Sequence, residues 1–194
     1  MDINEIIERV HHIPEASADK LASCLSEMSL HKGFRVLEAG KVETDIYFIR
    51  RGLARAFIPV DGEEITFWLG KEGDAIFSLK SYTDNLPGYE TIELMEDSDL
   101  YRLKRDALQQ LFNEDIGIAN WGRRFAEREF LQTEQRLIPF LCTTASERYA
   151  RLLEESPDML QRLPLEHLAS WLGITPVSLS RIRAKMKADD GQGQ

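Results

Sequence analysis

Hydrophobic residues recur with a helical period at the start of the chain. Ile3, Ile6, Ile7 and Val10 share one face, and after Pro14 the series Leu21, Cys24, Leu25 and Met28 shares another. Pro14 suits the first turn of that second helix. From about His31 to Arg102 the texture changes to short alternating or β-branched runs. Residues 33–38, 45–50, 53–59, 63–69, 74–78, 89–95 and 98–103 read as strands, cut by Ala39-Gly40, Arg51-Gly52, Asp61-Gly62 and Gly73-Asp74. Asp-Gly between two such runs predicts a hairpin. Short strands without intervening helices predict an α+β fold: an antiparallel β-roll (jelly roll) with flanking helices.

The helical period returns at Lys104, where Leu108, Leu111 and Phe112 mark a short helix. A long helix follows from Asp115 to Cys142, about 28 residues and roughly 42 Å. Its aromatic stretch Ile118, Trp121, Phe125 suits two packings: docking on its own domain, or a dimerisation seam with its twin in a homodimer. The helix is too long for a small roll to cover, which favours the seam. Pro139 is expected to disturb its end. Three helices follow at 146–154, 165–172 and 176–187, punctuated by Pro157 and Pro164, and the tail from Asp189 is expected to fray. The chain thus divides into 1–114, 115–143 and 144–194.

With 194 residues, 43% apolar and 29% charged, the composition is that of a soluble globular protein. No apolar run reaches the roughly 18 residues of a membrane span. The acidic start predicts no export signal. Cys24 and Cys142, far apart and outside any Cys-x-x-Cys, read as reduced thiols, so the expected location is cytoplasmic. The net charge of −9 argues against nucleic acid as a partner for the chain as a whole. It is unevenly spread, however. Residues 145–194 hold seven basic and seven acidic residues, and Thr175–Ala188 holds four basic and no acidic ones. A metal-dependent jelly-roll enzyme of cupin type needs imidazoles on strands. The histidines are His11, His12, His31 and His167, so the roll has none, and no metal site and no catalytic residues are expected.

The informative segment is Leu165-Glu-His-Leu-Ala-Ser-Trp-Leu-Gly-Ile-Thr-Pro-Val-Ser-Leu-Ser-Arg-Ile-Arg183. It has the form of a helix-turn-helix. Ala169 is small where two helices cross, Gly173 can take the left-handed conformation that ends the first, Thr175 can cap the second, and Pro176 suits its first position. Leu168, Leu172, Leu179 and Ile182 join both helices to one core, and His167 reads as a surface residue. If 176–187 is a recognition helix, Pro176, Val177, Ser178 and Arg181 face base edges, with Arg181 suited to a guanine. Thr175 and Ser178 suit phosphate oxygens, and Arg183, Lys185 and Lys187 suit the backbone. The alternatives are an ordinary helical hairpin, or a tail that binds a protein partner.

A β-roll, a long helix and a C-terminal helix-turn-helix, in that order, resemble the cAMP receptor protein/Fnr family of bacterial transcription regulators. The resemblance rests on Tyr47-Phe-Ile-Arg-Arg-Gly52, Arg55-Ala-Phe57, Asp61-Gly-Glu-Glu-Ile-Thr66, Gly73-Asp74 and the helix-turn-helix residues above. It implies a homodimer on a pseudo-palindromic double-stranded DNA site, governed by an effector domain. Nucleotide-binding members carry Gly-Glu opening a short helix and, further on, Arg before a small residue, to hold ribose and cyclic phosphate. Those positions are Phe77-Ser78 and Gly88-Tyr89 here, and no Arg occurs between Phe57 and Leu100. Lys80 is the one nearby cation that can substitute, so cAMP is not expected in the usual mode. The candidate effector pocket is Phe77, Ser78, Leu79, Lys80, Gly88, Tyr89 and Glu90, for an unidentified small molecule; Phe77, Leu79, Tyr82 and Tyr89 read either as its apolar wall or as plain core. In the recognition helix only Arg181 matches the cAMP receptor's reading residues. The family's C-terminal wing is expected to be lacking, and a lone Cys24 near the start does not suit an iron–sulfur cluster.

Overall fold

A computed structural model of the chain describes residues 1–191. Helices α1 (Ile3–Val10) and α2 (Glu15–Ser23) open it. A capping box starts α1: Glu5 N donates to Asp2 at 2.9 Å, and Asp2 N donates to Glu5 at 2.7 Å. The roll comprises β1 (Leu25–Leu30), β2 (Arg35–Leu37), β3 (Ile46–Arg51), β4 (Ala54–Val60), β5 (Glu63–Gly70), β6 (Ala75–Ile76), the short helix α3 (Leu79–Asp84), β7 (Thr91–Leu94) and β8 (Ser98–Leu103). The strands form two four-stranded antiparallel sheets, ordered β1-β8-β3-β6 and β2-β7-β4-β5. Ile49, Ala54, Ala56, Ile76, Ile92 and Leu100 pack between them. The fold is the α+β antiparallel roll that the alternation predicts.

The Asp61-Gly62 turn closes β4 on β5 with Val60 opposite Glu63; both turn residues have positive φ, 51° and 86°, as a type I′ turn requires. Elsewhere the period misleads. Leu25 and Met28 continue the helical spacing of α2, yet the helix stops at Ser23, and Leu25–Leu30 pairs with β8 from Leu25↔Leu103 to Leu30↔Ser98. The long-range pairing outweighs a local spacing that fits either element. The strand expected over 74–78 shrinks to two residues, because Ser78 instead caps α3, accepting from Ser81 N.

Helix α4 (Arg105–Glu114) leads into the long α5 (Ile116–Cys142). Asp115 caps α5, accepting from Gly117 N at 2.9 Å and Ile118 N at 3.2 Å, and Ser17 of α2 donates to the same carboxylate at 3.0 Å. Ile118, Trp121 and Phe125, expected at a dimer seam, are buried in the chain's own core. Trp121 Nε1 donates to Ile7 O at 3.0 Å, the Trp121 and Phe125 rings stack 5.7 Å apart, and both meet Phe48 edge-on. The roll and α1 claim the first three turns of α5, so these three side chains are not free to pack on a second copy. Beyond them Phe130, Leu131, Leu137, Ile138, Phe140 and Leu141 are exposed. Pro139 does not end the helix, which runs on to Cys142; Thr143 N and Oγ1 both donate to Pro139 O, at 2.9 and 2.7 Å.

Four helices complete the chain: α6 (Ala145–Glu155), α7 (Met159–Arg162), α8 (Leu165–Trp171) and α9 (Pro176–Gly191). The tail expected to fray from Asp189 continues α9 to Gly191, and residues 192–194 lie outside the described residues. Tyr149, Leu152, Met159, Leu163, Leu168, Ala169, Leu172 and Leu179 form one core with Leu53 and Met95 of the roll. Among the described residues no helix is long and apolar enough to cross a membrane.

Candidate nucleic-acid interface and effector cleft

The turn between α8 and α9 is built as the sequence requires. Gly173 has φ +71°; its N–H donates to Ser170 O, and Ile174 N donates to Ala169 O, both at 3.0 Å, a Schellman closure of α8. Thr175 Oγ1 then accepts from Ser178 N at 3.2 Å and lies 3.0 Å from the Ser178 hydroxyl, capping α9. Leu179 is fully buried and Ile182 and Met186 pack on the same core. The opposite stripe, at i, i+1, i+4 and i+8, is Val177, Ser178, Arg181 and Lys185. Val177 is 61% exposed, and Arg181 and Lys185 are exposed. Arg183 departs from this stripe: its guanidinium lies 5.5 Å from the Tyr149 ring, and its Nε is buried without a partner.

The helix-turn-helix docks on the roll through polar contacts that local sequence patterns do not mark. Ser170 Oγ donates to Glu64 O and accepts from Thr66 N, both at 2.9 Å, satisfying backbone groups of the edge strand β5. Arg162 bridges two carboxylates, Glu72 at 2.9 and 3.2 Å and Glu96 at 2.6 and 3.2 Å. Burial alone would raise the Glu72 carboxyl, but hydrogen bonds from Arg162 and Gly52 N and the Arg162 charge hold it at about 2. His167 is partly buried rather than on the surface. Burial, and then the charge of Arg55, lower its pKa. Arg55 itself is buried over the Phe57 ring and paired with Glu64 and Glu93.

Arg148 was not singled out by any motif, yet it ties three parts together. It donates to Thr143 O at the end of α5 and to Leu172 O at the end of α8 (2.8 Å for the latter), and stacks 4.8 Å from the Phe140 ring. Its one sequence signal is its place beside Tyr149 and four residues before Leu152, both buried.

A cleft of about 2400 Å³ opens between the roll, α5 and the C-terminal helices. Of the predicted effector residues, Phe77, Leu79, Tyr89 and Glu90 lie on its wall; Ser78, Lys80 and Gly88 do not. Ser78 is spent capping α3, Lys80 faces solvent, and a Cβ on Gly88 would come within 2.7 Å of Ser78 Oγ and 3.3 Å of Glu90 Oε1. Phe77 packs against Phe125 at 5.7 Å. Leu79 and Tyr89, 66% and 61% exposed, are not core.

On the α5 wall, Glu129 faces Asp74, Arg128 and Arg9. Burial, then the Asp74 charge, raise its carboxyl to about 7, while the two arginines lower it. Between the unfolded value of 4.5 and 7 the folded chain holds the extra proton, so stability falls as pH rises through that window. Glu129→Gln should therefore match the wild type in thermal melts at pH 4 and melt higher at pH 8. A wild-type advantage at pH 8 would contradict it.

The cyclic nucleotide-binding domain family matches residues 27–115. No curated protein matches the chain. Among solved structures, FixK2 from Bradyrhizobium japonicum is 18% identical with 86% of each chain covered and a TM-score of 0.74. CLP from Xanthomonas campestris, described as a c-di-GMP responsive global regulator, is 14% identical over 91% of this chain and 93% of its own, with a TM-score of 0.71. A protein from Eubacterium rectale described as a transcriptional regulator of the crp/fnr family is 18% identical over 91% and 85%, with a TM-score of 0.70. At these identities the likeness is one of fold. Residues 27–115 thus form a cyclic nucleotide-binding-type domain, in a chain with the fold of the CRP/FNR-family regulators.

Proposed function

We propose that this chain is a dimeric, non-catalytic, cytoplasmic DNA-binding transcription regulator, with residues 1–114 as effector domain, 115–143 as linker and dimerisation helix, and 144–194 as DNA-binding domain. The observation that carries the reading is the free N-terminal stripe of α9. Val177, Ser178, Arg181 and Lys185 stand together on a helix whose opposite face is anchored in a core, after a turn closed in the helix-turn-helix manner. Arg181 is exposed and offers a fork of donors suited to guanine. Thr175 and Ser178 suit phosphate oxygens at the helix start, and Pro176 fixes the helix entry. Arg183, leaning on Tyr149, braces the helix and meets the backbone only at its rim.

The second half of α5 supports the dimer. Leu131 and Ile138 are seven residues apart, with Leu141 three further on, all exposed. That is the spacing of a two-helix seam, and a second copy of α5 covers it best. Paired recognition helices then meet successive major grooves if they lie about one helical turn apart, roughly 34–36 Å. Ligand binding in the cleft between roll and α5 shifts that spacing. The missing arginine at Gly88 argues that the ligand is not cAMP held in the usual mode.

Selection of sites from random duplex DNA tests the reading. The wild type should enrich an inverted repeat. Arg181→Ala should flatten preference at one base pair per half-site, by about 1–3 kcal/mol. Enrichment of a single half-site would refute the dimer. No salt-dependent DNA binding in any condition, cell extract included, would favour a tail that binds protein.

A further inference from the structure

The turn between α3 and β7 carries a buried carboxyl group with no cationic partner among the described residues. Glu90 is 5% exposed. Its Oε2 accepts from Tyr89 N at 3.0 Å, and among the described residues no other hydrogen bond and no ion pair reaches the carboxylate. Arg55, the buried guanidinium of the same sheet, is spent on Glu64 and Glu93. A carboxylate taken out of water without a cation is costly, and such groups are ordinarily paired.

Its surroundings fit a ligand that brings the cation. Glu90 lies on the wall of the cleft with Phe67, Leu79, Tyr89 and Ile92. The Phe67 and Tyr89 rings stand 6.3 Å apart, and Tyr89, largely exposed, lines the cleft. Aromatic faces attract a positive nitrogen and accept an apolar body. An anion is disfavoured here. At Gly88, the stem of an arginine would run into Ser78 Oγ and Glu90 Oε1, and Lys80 is turned to solvent.

We propose that Glu90 anchors a small organic cation, an amine or quaternary ammonium carrying an apolar or aromatic group, with Tyr89 and Phe67 against it. This rests on reading the roll as an effector domain, and it names the ligand class of that domain. The polarity of the site is the reverse of one built for a cyclic phosphate.

Fluorescence anisotropy of the full-length protein with rhodamine 6G, an aromatic cation, tests it, with fluorescein as the anionic control. The wild type should bind rhodamine 6G saturably at one site per chain and fluorescein at least tenfold more weakly. Glu90→Gln, which keeps the side-chain shape and the acceptor for Tyr89 N, should bind the cation at least tenfold more weakly. Tyr89→Ala alters an exposed ring, so it should fold and weaken binding severalfold; it decides the matter should Glu90→Gln fail to fold. Unchanged binding in a folded Glu90→Gln, or no saturable binding by the wild type, overturns the proposal and leaves Glu90 as a brace for its turn. Site selection with the same preparation separates the two readings. An enriched inverted repeat without cation binding rejects the ligand class alone. Glu90-dependent cation binding without any DNA site rejects the regulator.

Discussion

In urea unfolding at fixed protein concentration, Trp121→Ala should lose about 3–5 kcal/mol of stability, the usual cost of emptying a large buried aromatic site. Trp121 is 1% exposed and fills the space between α1, β3 and α5. It stacks on Phe125 with an interplanar angle of 2°, meets Phe48 edge-on, and gives its indole N–H to Ile7 O. Deleting it leaves a cavity, and that cavity carries the cost, because Ile7 O keeps a partner in His11 N at 3.1 Å. The same change should leave the oligomeric state of the folded fraction as it was, because the side chain reaches no exposed surface. Ile138→Glu is the complementary case: a charge on the free face of α5 should weaken self-association in sedimentation while scarcely altering the roll. If Trp121→Ala were fully stable but monomeric, the assignment of α5's first turns to the chain's own core would be wrong.

That contrast marks where the sequence was legible and where it was not. Elements whose cause is local were readable. The Asp61-Gly62 hairpin follows from two residues that tolerate positive φ, and the α8–α9 turn from Gly173 and the Thr175 cap. The length of α5 was readable because nothing between Asp115 and Cys142 stops a helix strongly enough; Pro139 falls within the last turn, where little remains to be broken. What local pattern cannot carry is the identity of a partner. Leu25 and Met28 are spaced for a helix but pair with β8, and the aromatic stretch of α5 fits a twin helix or its own roll equally well by spacing alone. The polar contacts of the docked helices escaped for the same reason. Ser170 and Arg162 lie on surface-like positions of their own helices, and their partners on β5 and the roll are 66 to 106 residues away in sequence. In the candidate effector region the sequence showed the missing arginine, but that Leu79 and Tyr89 are exposed and Glu90 buried depended on how α3 and β7 pack.

Arg148→Ala should uncouple the helix-turn-helix from the long helix. Helices α5 and α8 both end beside this side chain, and the last carbonyls of a helix are unsatisfied and carry its partial negative charge. A single guanidinium meets both ends, donating to Thr143 O and Leu172 O, with its carbon 4.8 Å from the Phe140 ring centre. Gly173 completes the joint: a Cβ there would press on the Phe140 ring at 3.0 Å, so the turn and the helix end are in direct contact. Charge-assisted hydrogen bonds of this kind contribute about 1.5–3 kcal/mol each, and removing Arg148 takes two at once. The expected loss is about 3 kcal/mol of stability in the C-terminal helices, read as an earlier, separate transition in hydrogen exchange while the roll is unchanged. On the proposed function, DNA binding should weaken by at least tenfold and tolerate altered half-site spacing, since α9 no longer takes its direction from α5. Arg148→Lys should restore the charge but only part of the binding, because an ammonium lacks the fork that spans two carbonyls. A folded Arg148→Ala with wild-type affinity and wild-type spacing preference would show that the two helix ends are held together by their apolar contacts alone.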